Sequence, residues 1–92
     1  MNKIIHKIGV YILLCANSRY YIGSTDDIDR RFDEHQRGLV KATRNILPVK
    51  LAFLQPCSTL TEAQKLEYKL KTKKSKIIIE KIIKDGYIKF NY

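Results

Sequence analysis

This chain of 92 residues is short of acid, of cysteine and of long apolar runs. Nine Asp and Glu stand against eighteen Lys and Arg, leaving a net charge of +9. That balance disfavours a basic partner and favours a polyanion, whose encounter such a field accelerates. Charge alone does not separate nucleic acid from an anionic membrane or protein face. Two cysteines, Cys15 and Cys57, are too few for a disulfide framework, and no ligand spacing around them suggests zinc. They read as small buried thiols of a reducing compartment. No apolar stretch approaches the roughly 20 residues that span a bilayer, and the first residues lack the pattern of an export signal. No membrane association is expected, and the expected location is the cytoplasm, at the nucleoid, or a nucleus. Also missing are repeats, low-complexity segments, linkers, and any helix-turn-helix, zinc module or long arm for reading bases.

What remains is one domain over residues 1–92, of a size that buries roughly 60–65% of its unfolded surface. Ile8–Leu14 is nearly continuous in apolar, β-branched and aromatic residues, as suits a strand covered on both faces. Ala16-Asn17-Ser18-Arg19 supplies a turn, and Tyr20–Ser24 returns as the second arm of a hairpin. Thr25-Asp26-Asp27 offers a cap for a helix to about Arg37, stopped by Gly38. On that helix Ile28, Arg31, Phe32 and His35 share one face, and two of the four are polar. An ordinary core-facing stripe would be apolar there. After a basic connection containing Lys41, Thr43, Arg44 and Asn45, Val49–Leu54 reads as a third strand. Thr59-Leu60-Thr61-Glu62 resembles a capping box that opens a second helix to about Lys71. A last helix is expected over about Lys74–Lys84, although Ile77-Ile78-Ile79 also suits a strand, and Tyr87–Tyr92 has the alternation of an edge strand. The order strand–strand–helix–strand–helix–helix gives an α+β fold, a small three-stranded and mainly antiparallel sheet flanked by helices.

Positive charge gathers late. Lys65 to Lys84 holds eight lysines against Glu67 and Glu80, +6 of the total. Such a run is commonly a solvated helix surface, but here it is also a ridge along which a phosphate backbone would lie.

Gly9-Val10-Tyr11, Tyr21-Ile22-Gly23 ten residues later, Arg31 ten beyond the second tyrosine, and Glu67 on a later helix together resemble a GIY-YIG nuclease domain. The likeness covers nearly the whole chain and is similar to the small stand-alone type and to the nuclease domain of structure-specific junction endonucleases, which act in DNA repair and recombination. Val10 replaces the isoleucine of the first motif. The resemblance implies an endonuclease that hydrolyses DNA with Mg²⁺ or Mn²⁺. It implies Tyr11 as general base, Arg31 as the cation beside it and on the phosphate, and Tyr21 as a positioning hydroxyl. His35 would bond a tyrosine and help carry the proton away, and Glu67 would be the sole protein carboxylate on the metal. An unperturbed phenol is about 4 kcal/mol from ionised at pH 7, so Tyr11 needs a neighbouring cation. Lys41, Arg44, Lys69, Lys71, Lys73 and Lys74 are the expected contacts to flanking phosphates. Several family members place an asparagine beyond the metal glutamate, where this chain has Ile77–Ile83; either that role is absent or Asn91 supplies it. Without a base-reading module, recognition of branched, nicked or otherwise structured DNA is expected, with a partner protein or a restricted substrate supplying specificity. The oligomeric state is open. The alternative is a nucleic-acid-binding module that keeps the fold without catalysis.

Overall fold

A computed structural model describes residues 7–73 and 75–88. The elements run β1 (Gly9–Cys15), β2 (Tyr20–Thr25), α1 (Ile28–Gln36), β3 (Val49–Pro56), α2 (Leu60–Lys73) and α3 (Lys76–Asp85). The three strands form one antiparallel sheet in the order β2-β1-β3. The expected α+β architecture is therefore present. Ile77-Ile78-Ile79 is helical, because Ser75 caps α3 by accepting a hydrogen bond from the Ile78 N–H. Lys74, Asn91 and the end of the suggested edge strand lie outside the described residues; Tyr87 and Ile88 are not in a strand.

β1 is central, and every residue in it is buried except the half-buried Leu14. Alternation along the strand divides its side chains between two faces. Val10 and Ile12 join Phe53 on one face, against Ala63 and Leu70 of α2 and Ile79 and Ile82 of α3. Tyr11, Leu13 and Cys15 point the other way, with Val49, against Ile28 and Phe32 of α1. The result is three layers with the sheet in the middle. Burial of each fully covered aliphatic side chain, such as Ile12 or Ile82, stabilises the fold by about 1.5–3 kcal/mol.

The hairpin turns through Ser18, whose φ of 69° is left-handed, and the Asn17 side chain accepts from the Arg19 N–H. Asp27 caps α1 by accepting from the Arg30 N–H, and Asp29 places negative charge in the first turn. α1 ends in a Schellman motif: the Gly38 N–H bonds to the His35 carbonyl and the Leu39 N–H to the Glu34 carbonyl, with Gly38 at φ 76°. This closure turns the chain back on itself, so that residues 40–46 fold beneath the end of α1. At α2, Thr59 accepts from the Glu62 N–H, but the Glu62 carboxylate reaches the N–H of Ser58 rather than that of Thr59. No described helix is long and apolar enough to cross a membrane.

Candidate active site

Two of the motif glycines are required by close approach. A Cβ on Gly9 would run into the backbone carbonyl of Gln55 on β3. A Cβ on Gly23 would lie 2.5 Å from the Tyr11 hydroxyl. Tyr11 and Gly23 are direct partners across the β1–β2 pair, so the phenol of the central strand lies flat across the glycine of the edge strand. The glycine thus makes room for the tyrosine, which explains why the two motifs belong together.

Tyr11 is 1% exposed, and its hydroxyl lies 2.9 Å from His35 Nε2. His35 is fully buried, and its Nδ1 lies 2.8 Å from Thr43 Oγ1, which is buried too. The three side chains form an unbroken hydrogen-bonded chain from β1 through α1 to the turn that the Schellman motif folds back. Tyr21 completes the cluster, its ring centroid 5.1 Å from that of His35 and 6.2 Å from that of Tyr11. Arg31, one turn before His35, bonds Glu34 at 3.0 Å and neighbours the Tyr11 phenol. Burial pushes Tyr11 up to about 12, and the Arg31 guanidinium works against that rise. Burial, helped by the Arg31 charge, pushes His35 down to about 4, so the imidazole is neutral at physiological pH. Burial also raises both cysteine thiols, and neither is a poised nucleophile.

Glu67 arrives from the other layer. Its carboxylate accepts from the Ser24 hydroxyl through one oxygen and pairs with Lys71 through the other. Ser24 follows Gly23 and stands opposite Val10, so it faces α2 while Tyr11 faces α1. The phenol and the carboxylate therefore approach from opposite faces and flank the edge strand at Gly23-Ser24. They are close enough that Glu67 opposes ionisation of Tyr11. Among the described residues no group of three or more His, Cys, Asp or Glu is placed to hold a metal. A lone carboxylate does not make a chelating cage, but it suits Mg²⁺, which keeps most of its water.

The remaining cations separate. Lys41 and Arg44 are exposed on the turn after α1. On α2, Lys65 and Lys69 line a recess with Gln55, Pro56 and Leu66, whereas Lys71 faces β2. Lys73 is half-buried at the end of α2. The expected single ridge is thus divided between two sides of the helix. Tyr68 and Arg30, outside the motif, are exposed, and Tyr20 donates to Glu80. Thr43 is the member of the cluster that the motif pattern did not single out.

Paired tyrosine strands, a polar stripe on the following helix and a carboxylate on a later one set this α+β domain apart from one whose helices present only apolar faces. A family model described as the GIY-YIG catalytic domain matches residues 7–83, and the chain belongs to that family, whose domain implies nuclease activity. It is 44% identical over 70 residues to a "UPF0213 protein" of Streptococcus pneumoniae serotype 4, covering 75% of this chain and 71% of that protein. A "UPF0213 protein" of Cronobacter sakazakii is 40% identical over 70 residues, covering 73% and 74%. A third, from the archaeon Halobacterium salinarum, is 38% identical over 63 residues, covering 67% and 82%. No solved structure matches.

Proposed function

We propose that this protein is a divalent-metal-dependent DNA endonuclease that hydrolyses phosphodiester bonds at the β2 edge, in branched, nicked or otherwise structured DNA. The observation that carries the reading is the Tyr11 hydroxyl, seated over Gly23 between a neutral imidazole and a guanidinium. A buried strand tyrosine in a packed core needs one partner for its hydroxyl, but not a guanidinium beside that partner.

Ionisation of Tyr11 sets the direction of the hydrogen-bonded chain. A phenolate can only accept, so with Tyr11 ionised the Thr43 hydroxyl donates to Nδ1 and the Nε2–H donates to the Tyr11 oxygen. His35 acts as a fixed donor to a developing phenolate rather than as a store for its proton, as its low basicity also requires. Arg31 contributes the stabilising positive charge and a planar fork for a non-bridging phosphate oxygen. Tyr21 orients water or phosphate through its hydroxyl. Tyr11, once ionised, takes the proton of the attacking water.

Glu67 is the residue that would hold the metal, with Lys71 moving off its carboxylate. When bound, a hydrated Mg²⁺ there supplies charge stabilisation at the phosphate and leaving oxygen. With its hydroxyl at about 12, Tyr11 lies about 7 kcal/mol from ionised at pH 7 in the free protein. Substrate binding and added positive charge must offset much of that deficit. A second reading, a nucleic-acid-binding domain without turnover, draws on the same value.

The deciding experiment incubates the protein with end-labelled branched, nicked and linear DNA in Mg²⁺ or Mn²⁺. Cleavage that disappears in Tyr11→Phe and Glu67→Ala supports the nuclease. Binding without cleavage of any substrate supports the second reading, and equal cleavage by both variants removes the proposed site.

A further inference from the structure

The basic edge of the molecule contains an open groove beside the Tyr11–His35–Thr43 cluster and distinct from it. It has a volume of about 470 Å³ and lies between the start of β2 and the corner where α2 meets α3. Ile22, Leu70 and Ile79 contribute apolar lining, while Arg19, Lys71 and Lys76 bring three cations to it. Tyr20 forms an aromatic wall, with the Lys76 ammonium 5.9 Å from its ring centroid. Two of the lining residues also belong to the candidate active site: Tyr21 through the phenol cluster, and Lys71 through its pair with Glu67.

We propose that this groove seats an unpaired nucleotide of the substrate strand next to the phosphate to be cut. This deepens the nuclease reading and rests on it for the cleavage step alone. Apolar and cationic groups together are what decide the occupant. A duplex offers the protein a phosphate surface, for which exposed lysines suffice and an apolar floor is wasted. An unpaired base offers a flat apolar face, and its phosphates lie within reach of the rim cations. The size falls in the range of small-molecule sites, as a single nucleotide requires. An anionic protein segment would satisfy the cations but leave the aromatic wall and apolar floor without a planar partner. Because the groove adjoins Glu67, an unpaired nucleotide held there brings its neighbouring phosphate to the β2 edge. The preferred substrate is then a single strand, or a junction with unpaired residues, rather than intact duplex.

The test is fluorescence anisotropy with a labelled 12-nucleotide single strand and a labelled 12-base-pair duplex, in EDTA at fixed salt, so that binding is read without cleavage. Single-strand affinity about 10-fold above duplex affinity is expected. Arg19→Ala with Lys76→Ala should lower single-strand affinity about 10-fold and duplex affinity less than 2-fold. The control, Lys50→Ala with Lys65→Ala, removes the same charge from exposed positions elsewhere and should weaken both alike. Equal binding of the two DNAs, or equal losses for both DNAs in the groove variant, overturns the proposal. A parallel incubation in Mg²⁺ keeps the two readings apart: absence of cleavage counts against the nuclease, while the binding pattern alone decides the groove.

Discussion

Gly23→Ala is the smallest change that tests the site as built. The new Cβ would meet the Tyr11 hydroxyl at 2.5 Å and its ring carbon at 2.6 Å, where ordinary contact begins at 3.4 Å. Relief requires a movement of 3.4 − 2.5 = 0.9 Å in the phenol or in the edge strand. The phenol cannot yield freely, since it is buried and its oxygen bonds His35 at 2.9 Å. A shift of that size along the bond stretches it to about 3.8 Å, which is no longer a hydrogen bond. Overpacking of this kind costs about 1–3 kcal/mol, and an error of about 1 Å in a reacting group costs about 100-fold in rate. Urea denaturation and cleavage of a labelled nicked duplex, at fixed Mg²⁺, measure the two effects. A double-mutant cycle with Tyr11→Leu isolates the cause, because without the ring the added methyl has far less to displace. The reasoning is refuted if Gly23→Ala cleaves at the parental rate. An unchanged stability cost in the Tyr11→Leu background refutes it too.

Further outcomes follow from the same contacts. Thr43→Val removes the donor to His35 Nδ1 and leaves that nitrogen unsatisfied. Without that partner His35 no longer holds its Nε2–H toward the developing phenolate; loss of an ordered donor to a charged oxygen is worth about 1.5–3 kcal/mol, so cleavage should fall about 10- to 100-fold, with Thr43→Ser restoring most of it. Nitrogen-15 spectra of His35 should show the same tautomer pattern in the parent and Thr43→Ser, and a changed pattern in Thr43→Val. His35 is held near 4 against an ordinary value of 6.5, so its contribution to stability is complete above pH 6.5 and is lost as pH falls through 4. The loss is about 3 kcal/mol, and His35→Gln should flatten that part of a denaturation series between pH 7 and pH 4. Since Tyr11 must ionise and its hydroxyl stands near 12, log(kcat/KM) should climb with unit slope from pH 6 through pH 9. A flat profile over that range removes the phenolate. Lys71→Met releases Glu67 from an i,i+4 ion pair that is half open to solvent, worth about 0.3–0.5 kcal/mol. The Mg²⁺ concentration for half-maximal cleavage should therefore drop about 2-fold, and a rise instead would make Lys71 a phosphate contact.

Local pattern explains why most of the architecture was legible in the chain. β1 is apolar without interruption because it is the middle strand, and the stripe of α1 is half polar because Arg31 and His35 face the Tyr11 hydroxyl. Helix and strand ends were displaced by only a residue or two, where caps compete. Thr43 was not legible, since a residue in a turn has no periodicity and its partner is chosen by the fold-back after Gly38. Nor was the approach of Glu67 from the opposite face, because the seating of α2 on the sheet is a tertiary register that no helical stripe encodes. The division of the α2 lysines has the same origin: Lys69 and Lys71 stand two positions apart, which on a helix means different sides.

The sandwich arrangement bears on when the molecule becomes dangerous. Phenol, guanidinium and imidazole come together only when α1 docks on its face of the sheet, and the carboxylate joins them only when α2 closes the other. On the proposed reading, a nascent or half-melted chain already carries charge enough to cling to nucleic acid, yet has nothing with which to cut it. Hydrolysis is thereby reserved for the finished molecule, and nicking becomes a report on complete folding.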